Sequence, residues 1–166
     1  VKAPECNEKF YVGVDLSLVG TGIVIIDHTG RIVNQTLLDV KSEWYECPEQ
    51  HLNDIIKQCK FIANVVRVEK VAIEGLSYMS LSKTAHERTA LNFMLRCYLY
   101  RRGVPFEIVP PKTLKKWTTN NGNATKDDMM KTALERWGAE FTDDNLCDAY
   151  CLARYIMNLD GCNEDL

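Results

Sequence analysis

The chain has 166 residues, of which 46% are hydrophobic and 26% charged. Those values fit one globular domain with a substantial core and exclude a disordered or low-complexity chain. A net charge of −3 gives no overall pull toward nucleic acid, and no apolar run approaches the length of a membrane span.

Residues 10–16 alternate in polarity and then break at Ser17-Leu-Val-Gly20, which predicts a first strand. A second β-rich run, Gly22 to Asp27, ends in the turn His28-Thr-Gly30, and a third spans Arg31 to Leu38. Three strands joined by short glycine-containing turns predict an antiparallel meander. From Glu49 to Val66 the apolar positions Leu52, Ile55, Ile56, Cys59, Ile62, Ala63 and Val66 recur at helical spacing. Val71 to Glu74 reads as a short buried strand. Thr84 to Arg102 predicts a second helix, with Leu91, Met94, Leu95, Tyr98 and Leu99 on one side and Gly103 as its stop. Phe106 to Val109 is a fifth strand, and Pro110-Pro111 ends it and opens a short helix over Lys112 to Trp117. A polar loop, Thr118 to Ala124, precedes helices at about 126–137 and 144–159, and the tail from Asp160 is expected to fray. A helix between strands four and five implies parallel pairing beside the meander. The fold class is therefore α/β, a mixed five-stranded sheet flanked by helices. With no linker or repeat in sight, residues 1–166 are read as a single domain with its core at about 10–159.

Seven cysteines, an odd number with no C-x-x-C pair, predict reduced, mostly core thiols and an intracellular protein. His28, His51 and His86 are scattered and read as surface or turn residues. The opening Val1-Lys-Ala-Pro-Glu5 lacks the pattern of a secretory signal.

The acids carry the chemistry. Asp15 is the only charge in the apolar run Tyr11 to Leu16, Glu74 ends the apolar run from Val71, and Asp144, Asn145 and Asp148 open the last helix. Each alone has an ordinary explanation. Asp15 and Glu74 could be strand-end residues, and acids in the first turn of a helix meet its dipole favourably. Together they suggest a shared cationic partner, because an acid in a buried strand is costly unless something neutralises it. A hard divalent cation suits such oxygen donors. Carboxylates converging at the C-terminal ends of neighbouring strands could hold two Mg²⁺ ions about 4 Å apart, the arrangement of two-metal phosphodiester hydrolysis. The residues from Lys83 to Thr118 include eight Lys or Arg against two acids, Glu87 and Glu107, a local excess that suits a phosphate backbone. Downstream, Lys115, Lys116 and Lys126 are spaced to grip phosphates. Gly122 permits close backbone approach, and the helix starting near Thr125 offers N–H donors.

These motifs resemble, in order, those of the RuvC family of Holliday-junction resolvases in the form often found in bacteriophages. Val12-Gly-Val-Asp-Leu-Ser-Leu-Val-Gly-Thr-Gly22 is similar to that family's opening G-[IV]-D-x-S-x-x-x-T-G, and Val71-Ala-Ile-Glu-Gly75 to its second acidic strand. Pro111-Lys-Thr-Leu-Lys115 through Gly122 to Lys126 is similar to its basic loop, and Asp148-Ala-Tyr-Cys-Leu-Ala153 to its closing D-A-x-x-[IL]-A helix. The match spans about 10–155. It implies an RNase H-like fold, dependence on Mg²⁺ or Mn²⁺ with two ions per subunit, and a homodimer that nicks four-way DNA in pairs. It implies an intracellular setting, as in a phage-infected bacterium. It carries metal-ligand roles to Asp15, Glu74 and Asp148, and DNA contacts to Lys115 and Lys126, with Lys112 and Lys116 as further candidates. Two positions depart. The family has an acid three residues before the last Asp, where Asn145 stands here, one residue after Asp144. Either Asp144 substitutes, or the Asn145 carbonyl suffices, or the site is inactivated. Ser77 replaces an aromatic found in some relatives, which makes Tyr78 the candidate to stack on an unpaired base. The alternatives are another RNase H-like nuclease acting on flaps or RNA–DNA hybrids, a non-catalytic junction-binding protein, or an actin/sugar-kinase-like phosphotransferase with Asp15 to Gly22 as a phosphate loop, a fold that normally needs two such domains where this chain has room for one.

Overall fold

The computed structural model describes residues 9–39, 46–65, 67–76 and 84–161. Strands β1 (Phe10–Asp15), β2 (Thr21–Asp27) and β3 (Ile32–Leu38) form the expected meander. Helix α1 (Pro48–Cys59) leads to β4 (Val68–Glu74), and α2 (Ala85–Arg101) leads to β5 (Phe106–Val109). Three helices follow: α3 (Pro111–Thr119), α4 (Lys126–Trp137) and α5 (Asp144–Leu159). The sheet order is β3-β2-β1-β4-β5. β1 pairs antiparallel with β2 and parallel with β4, and β4 pairs parallel with β5. Among the described residues no helix is long and apolar enough to cross a membrane.

Strand alternation divides the core in two. Val12, Val14, Ile23, Ile25, Val71 and Ile73 face α1 and α2. Tyr11, Val24, Ile26, Ala72 and Val109 face the layer of α3, α4 and α5. Asp15 and Glu74 share the parity of Tyr11 and Ala72, so both project toward α5.

The close seating of α5 depends on two glycines. A Cβ on Gly13 would overlap the Ala149 carbonyl oxygen and lie 2.7 Å from the Ala153 nitrogen. A Cβ on Gly22 would overlap the Asn145 carbonyl and lie 3.0 Å from the Leu146 nitrogen. With hydrogen atoms there instead, the helix backbone rests directly on β1 and β2 and carries Asp148 down to the level of Asp15.

Some expectations need correction. The helix read over 49–66 ends at Cys59, tightens into a 3-10 turn over Lys60–Asn64, and gives way to β4 at Val68 rather than Val71. The cause is tertiary: β4 runs alongside β1 as far as the Phe10–Val68 pair, which recruits three half-buried residues the apolar pattern passes over. The short helix after β5 is longer than predicted, Pro111–Thr119. His51 is buried, not superficial, and its Nε2 stands 2.6 Å from the Leu18 carbonyl oxygen, tying α1 to the β1–β2 turn. Cys59, Cys147 and Cys151 are core thiols as expected, but Cys47 and Cys97 are exposed; all five are free. Cys6 and Cys162 lie outside the described residues.

Candidate functional site

The pairing of β1 with β4 aligns Val14 with Ile73, so the next residues, Asp15 and Glu74, end their strands side by side. Asn92, buried on α2, donates its Nδ2 to the Glu74 carbonyl at 3.2 Å, and the Gly75 N–H donates to the Val109 carbonyl at 2.8 Å. The end of β4 is thus held from two directions. The turn after β1 is held by its own side chains. The Ser17 N–H donates to Thr21 Oγ1 at 3.1 Å, the Thr21 hydroxyl donates to the Ser17 carbonyl at 2.9 Å, and Ser17 Oγ accepts from the Val19 and Gly20 N–H groups. These contacts give the Ser-x-x-x-Thr spacing of the opening motif a structural purpose. Asp143 caps α5 by accepting the Leu146 N–H at 3.1 Å, so Asp144 and Asn145 occupy the first turn and Asp148 the second.

A cleft of about 490 Å³ opens over these strand ends. Its acids are Asp15, Glu74, Asp144 and Asp148, with Asn145 beside them. Its cations are Arg88, Lys115 and Lys126. The structure therefore brings together every acid singled out in the sequence.

The carboxylates are under electrostatic tension. Burial, then the charge and hydrogen bond of Glu74, push the Asp15 carboxyl up to about 8. Burial and the Asp148 charge raise Glu74, against the hydrogen bond from Asp15 and the charges of Arg88 and Lys115. Burial and the Asp15 charge push Asp148 up to about 6. The side chains of Asp15 and Glu74 lie close enough for each to influence the other's proton affinity. Among the described residues, no three His, Cys, Asp or Glu side chains yet stand around a common point at ligating spacing. The donor set nevertheless fits a hard cation: the candidate donors are all oxygens, and a bound dication would relieve the repulsion among the acids.

Asp144 and Asn145 separate. The Asp144 carboxylate is ion-paired with the Lys126 ammonium. Asn145 lies against the β1–β2 turn, its Nδ2 3.2 Å from where a Cβ on Gly20 would sit. Both line the cleft, Asn145 against the turn and Asp144 occupied with a lysine.

The basic segment is well ordered. Thr125 and Asp128 form a reciprocal capping box at the start of α4, with the Thr125 N–H donating to Asp128 Oδ2 at 2.9 Å. Lys115 Nζ donates to the Ala124 carbonyl at 2.8 Å, closing the loop from α3 to α4. Asn120 ends α3 in the left-handed conformation, φ 63°. Arg136 donates to the Trp117 and Thr118 carbonyls and stacks on Trp137, which in turn stacks on Trp117 at 5.6 Å. Gly122 packs against the Lys112 carbonyl of α3, so its close approach serves the loop itself. Lys115 and Lys126 reach the cleft; Lys112 and Lys116 are exposed elsewhere on α3. Tyr78 lies outside the described residues. Sequence reasoning missed Asn92, a polar residue amid the apolar face of α2, and the site role of Arg88, counted only within a basic stretch.

No family model matches the chain. The crossover junction endodeoxyribonuclease RuvC of Brachyspira hyodysenteriae is 27% identical over 146 residues, covering 86% of this chain and 89% of that protein. RuvC of a Synechococcus species is 24% identical, covering 86% and 94%. Thermus thermophilus RuvC, solved in complex with a Holliday-junction substrate, superposes with a TM-score of 0.75 at 15% identity, over 92% of this chain and 96% of that one. The mixed five-stranded sheet with its flanking helices is an RNase H-like fold. Within that class, the chain is similar over most of its length to the RuvC family of Holliday-junction resolvases.

Proposed function

We propose that this protein is a structure-selective, divalent-metal-dependent endodeoxyribonuclease that resolves four-way DNA junctions by paired nicks. The observation that carries the reading is the meeting of Asp15, Glu74 and Asp148, from two strands and a helix, in one cleft walled by Arg88, Lys115 and Lys126. Acids buried together with raised proton affinity suit a dication, and cations around them suit a phosphodiester. The family is one of metal-dependent nucleases.

Asp15, Glu74 and Asp148 would hold two Mg²⁺ ions per subunit, with Mn²⁺ able to substitute, and Asn145 would add its carbonyl oxygen. A bound dication supplies Lewis-acid stabilisation to the phosphoryl oxygens and lowers the proton affinity of the attacking water. Asp15 and Glu74, whose burial raises their proton affinity, would bind the ions as carboxylates and release any proton they hold to solvent. Asp148 rides on α5, whose seat on Gly13 and Gly22 holds it level with Asp15. Lys115 and Lys126 position the DNA backbone, and Asp144 holds Lys126 in place. The proposed catalytic and metal-binding set is thus Asp15, Glu74, Asp148 and Asn145. Lys115 and Lys126 are the principal DNA contacts, with Lys112, Lys116 and Tyr78 as outer ones. The reading takes the chain as one nuclease domain working inside the cell as a homodimer, which paired nicking requires. Phe93 and Tyr100, both exposed and seven residues apart on α2, present apolar area for a second copy.

The test is cleavage of a synthetic four-way junction beside linear duplex, flap and RNA–DNA hybrid, with Mg²⁺ and with EDTA. Mg²⁺-dependent symmetrical nicks in the junction support the reading, and preference for flap or hybrid replaces it with another nuclease. Asn145 in place of an acid favours a second reading, a non-catalytic junction binder. Tight junction binding without nicks in Mg²⁺ or Mn²⁺ would establish that instead.

A further inference from the structure

Three cations line the cleft, and they differ in how they are engaged. Lys126 is ion-paired with Asp144, and Lys115 donates to the Ala124 carbonyl. Arg88, near the start of α2, lines the same cleft with its side chain exposed, close enough to the acids for its charge to act on Asp15 and Glu74. The cations also stand on different sides of the acids. Helix α2 packs through Leu91, Leu95 and Leu99 into the core on one face of the sheet, whereas α3 and α4, which carry Lys115 and Lys126, pack with α5 through Leu114 and Met129 on the other. Lysines from α3 and α4 therefore flank the α5 side of the carboxylates, and an arginine from α2 flanks the strand side.

We propose that Arg88 is a substrate-binding residue, whose guanidinium grips the DNA phosphate seated over Asp15 and Glu74 from the side opposite Lys115 and Lys126. This rests on the junction-nuclease reading above and extends it to a residue outside the matched motifs. A guanidinium presents a planar fork of donors that fits two phosphate oxygens at once. Arg88 is exposed at the cleft wall, so it reaches a ligand at little desolvation cost. A dication on the acids would weaken their pull on Arg88 and leave its fork available to the phosphate. A cation on each side would fix the phosphodiester laterally, as positioning for in-line attack demands.

The experiment compares wild type, Arg88→Ala, Arg88→Lys and Arg88→Gln by single-turnover cleavage of a four-way junction in Mg²⁺ at saturating protein. Junction binding is measured across a salt series in EDTA, and melting temperature is measured alongside. The expected result is a loss of tenfold or more in cleavage rate for the Ala and Gln variants, with partial rescue by Lys, which restores charge but not the fork. The slope of log affinity against log salt should flatten by about 0.9 for each lost contact. Melting temperature should move little, since the Arg88 side chain is exposed. A methylphosphonate at the contacted phosphate should slow wild type and leave Arg88→Ala no slower still. Wild-type cleavage and binding by Arg88→Ala would overturn the proposal. So would a change confined to the Mg²⁺ requirement, which would make Arg88 only a counter-charge for the acids. If wild type itself neither binds nor cleaves branched DNA, the functional reading falls first and this proposal with it.

Discussion

The carboxylate cluster makes a prediction that needs no DNA. Asp15 has an ordinary value of 3.8 and is pushed up to about 8 in the fold, with burial the largest cause and Glu74 the next. An acid raised in the folded state binds its proton more tightly there than in the unfolded chain. Its contribution to stability is therefore fully present below pH 3.8, erodes as pH rises, and is lost above pH 8. The ceiling follows from 1.36 kcal/mol per unit: about 5 kcal/mol at pH 7.5. Replacing Asp15 with Asn removes the titration while keeping the shape, and the new amide can donate to Glu74. In EDTA at pH 7.5 the Asp15→Asn variant should be more stable than wild type by at least about 2 kcal/mol. The gap should close as pH falls toward 4. Mg²⁺ should raise wild-type stability at pH 7.5 and raise the variant's less, since only wild type keeps the full charge set that binds the ion. The assay is urea denaturation at pH 4, 5, 6, 7 and 8, with EDTA and with Mg²⁺. Superimposable pH profiles for the two proteins in EDTA would refute the reasoning. They would mean that the three acids are separately solvated and do not crowd one low-dielectric site.

The other expectations are local. Gly13→Ala places a methyl group on the Ala149 backbone; it should cost more than about 3 kcal/mol in a urea melt and remove cleavage, and a near-wild-type melt would show that α5 is not seated there. Asn145→Asp should lower the Mg²⁺ concentration for half-maximal cleavage several-fold, whereas Asp144→Asn should weaken cleavage modestly and leave that concentration unchanged; the reverse pattern in a Mg²⁺ titration would make Asp144 the ligand. Lys126→Ala should flatten the salt dependence of junction binding by about 0.9 per contact without altering stability. Lys115→Ala should do the same and also cost about 1 kcal/mol in denaturation, because its ammonium closes the loop at the Ala124 carbonyl. Equal melts for the two lysine variants would contradict that difference.

Much of this protein is legible in one dimension, and for physical reasons. The meander follows from period-two alternation and from turns rich in glycine, and the helices follow from apolar spacing and from stops such as Gly103 and Pro110. Asp15 and Glu74 stand out because a charge at the end of an apolar strand is costly wherever the strand is buried. Their adjacency was legible too, since parallel strands joined by helices end at the same edge of a sheet. The extra strand residues Val68 to Lys70 were hidden, because their pairing with β1 leaves no apolar signature. His51 and Asn92 were hidden because burial of a lone polar side chain depends on partners distant in the chain, here the Leu18 and Glu74 carbonyls.

The sequence alone determined which residue types are available to the candidate site: three acids, an asparagine where a fourth acid is usual in RuvC proteins, and a run of lysines, in an order similar to theirs. Only the tertiary structure decided how they divide the work. It gave Asp144 to Lys126, set Asn145 against the β1–β2 turn, turned Lys112 and Lys116 away and brought Arg88 in from α2. Spacing along one helix places Asp144, Asn145 and Asp148 near one another whatever the fold. Which of them meets Asp15 depends on how closely and at what rotation α5 sits on β1, and that was set by two missing methyl groups, at Gly13 and Gly22.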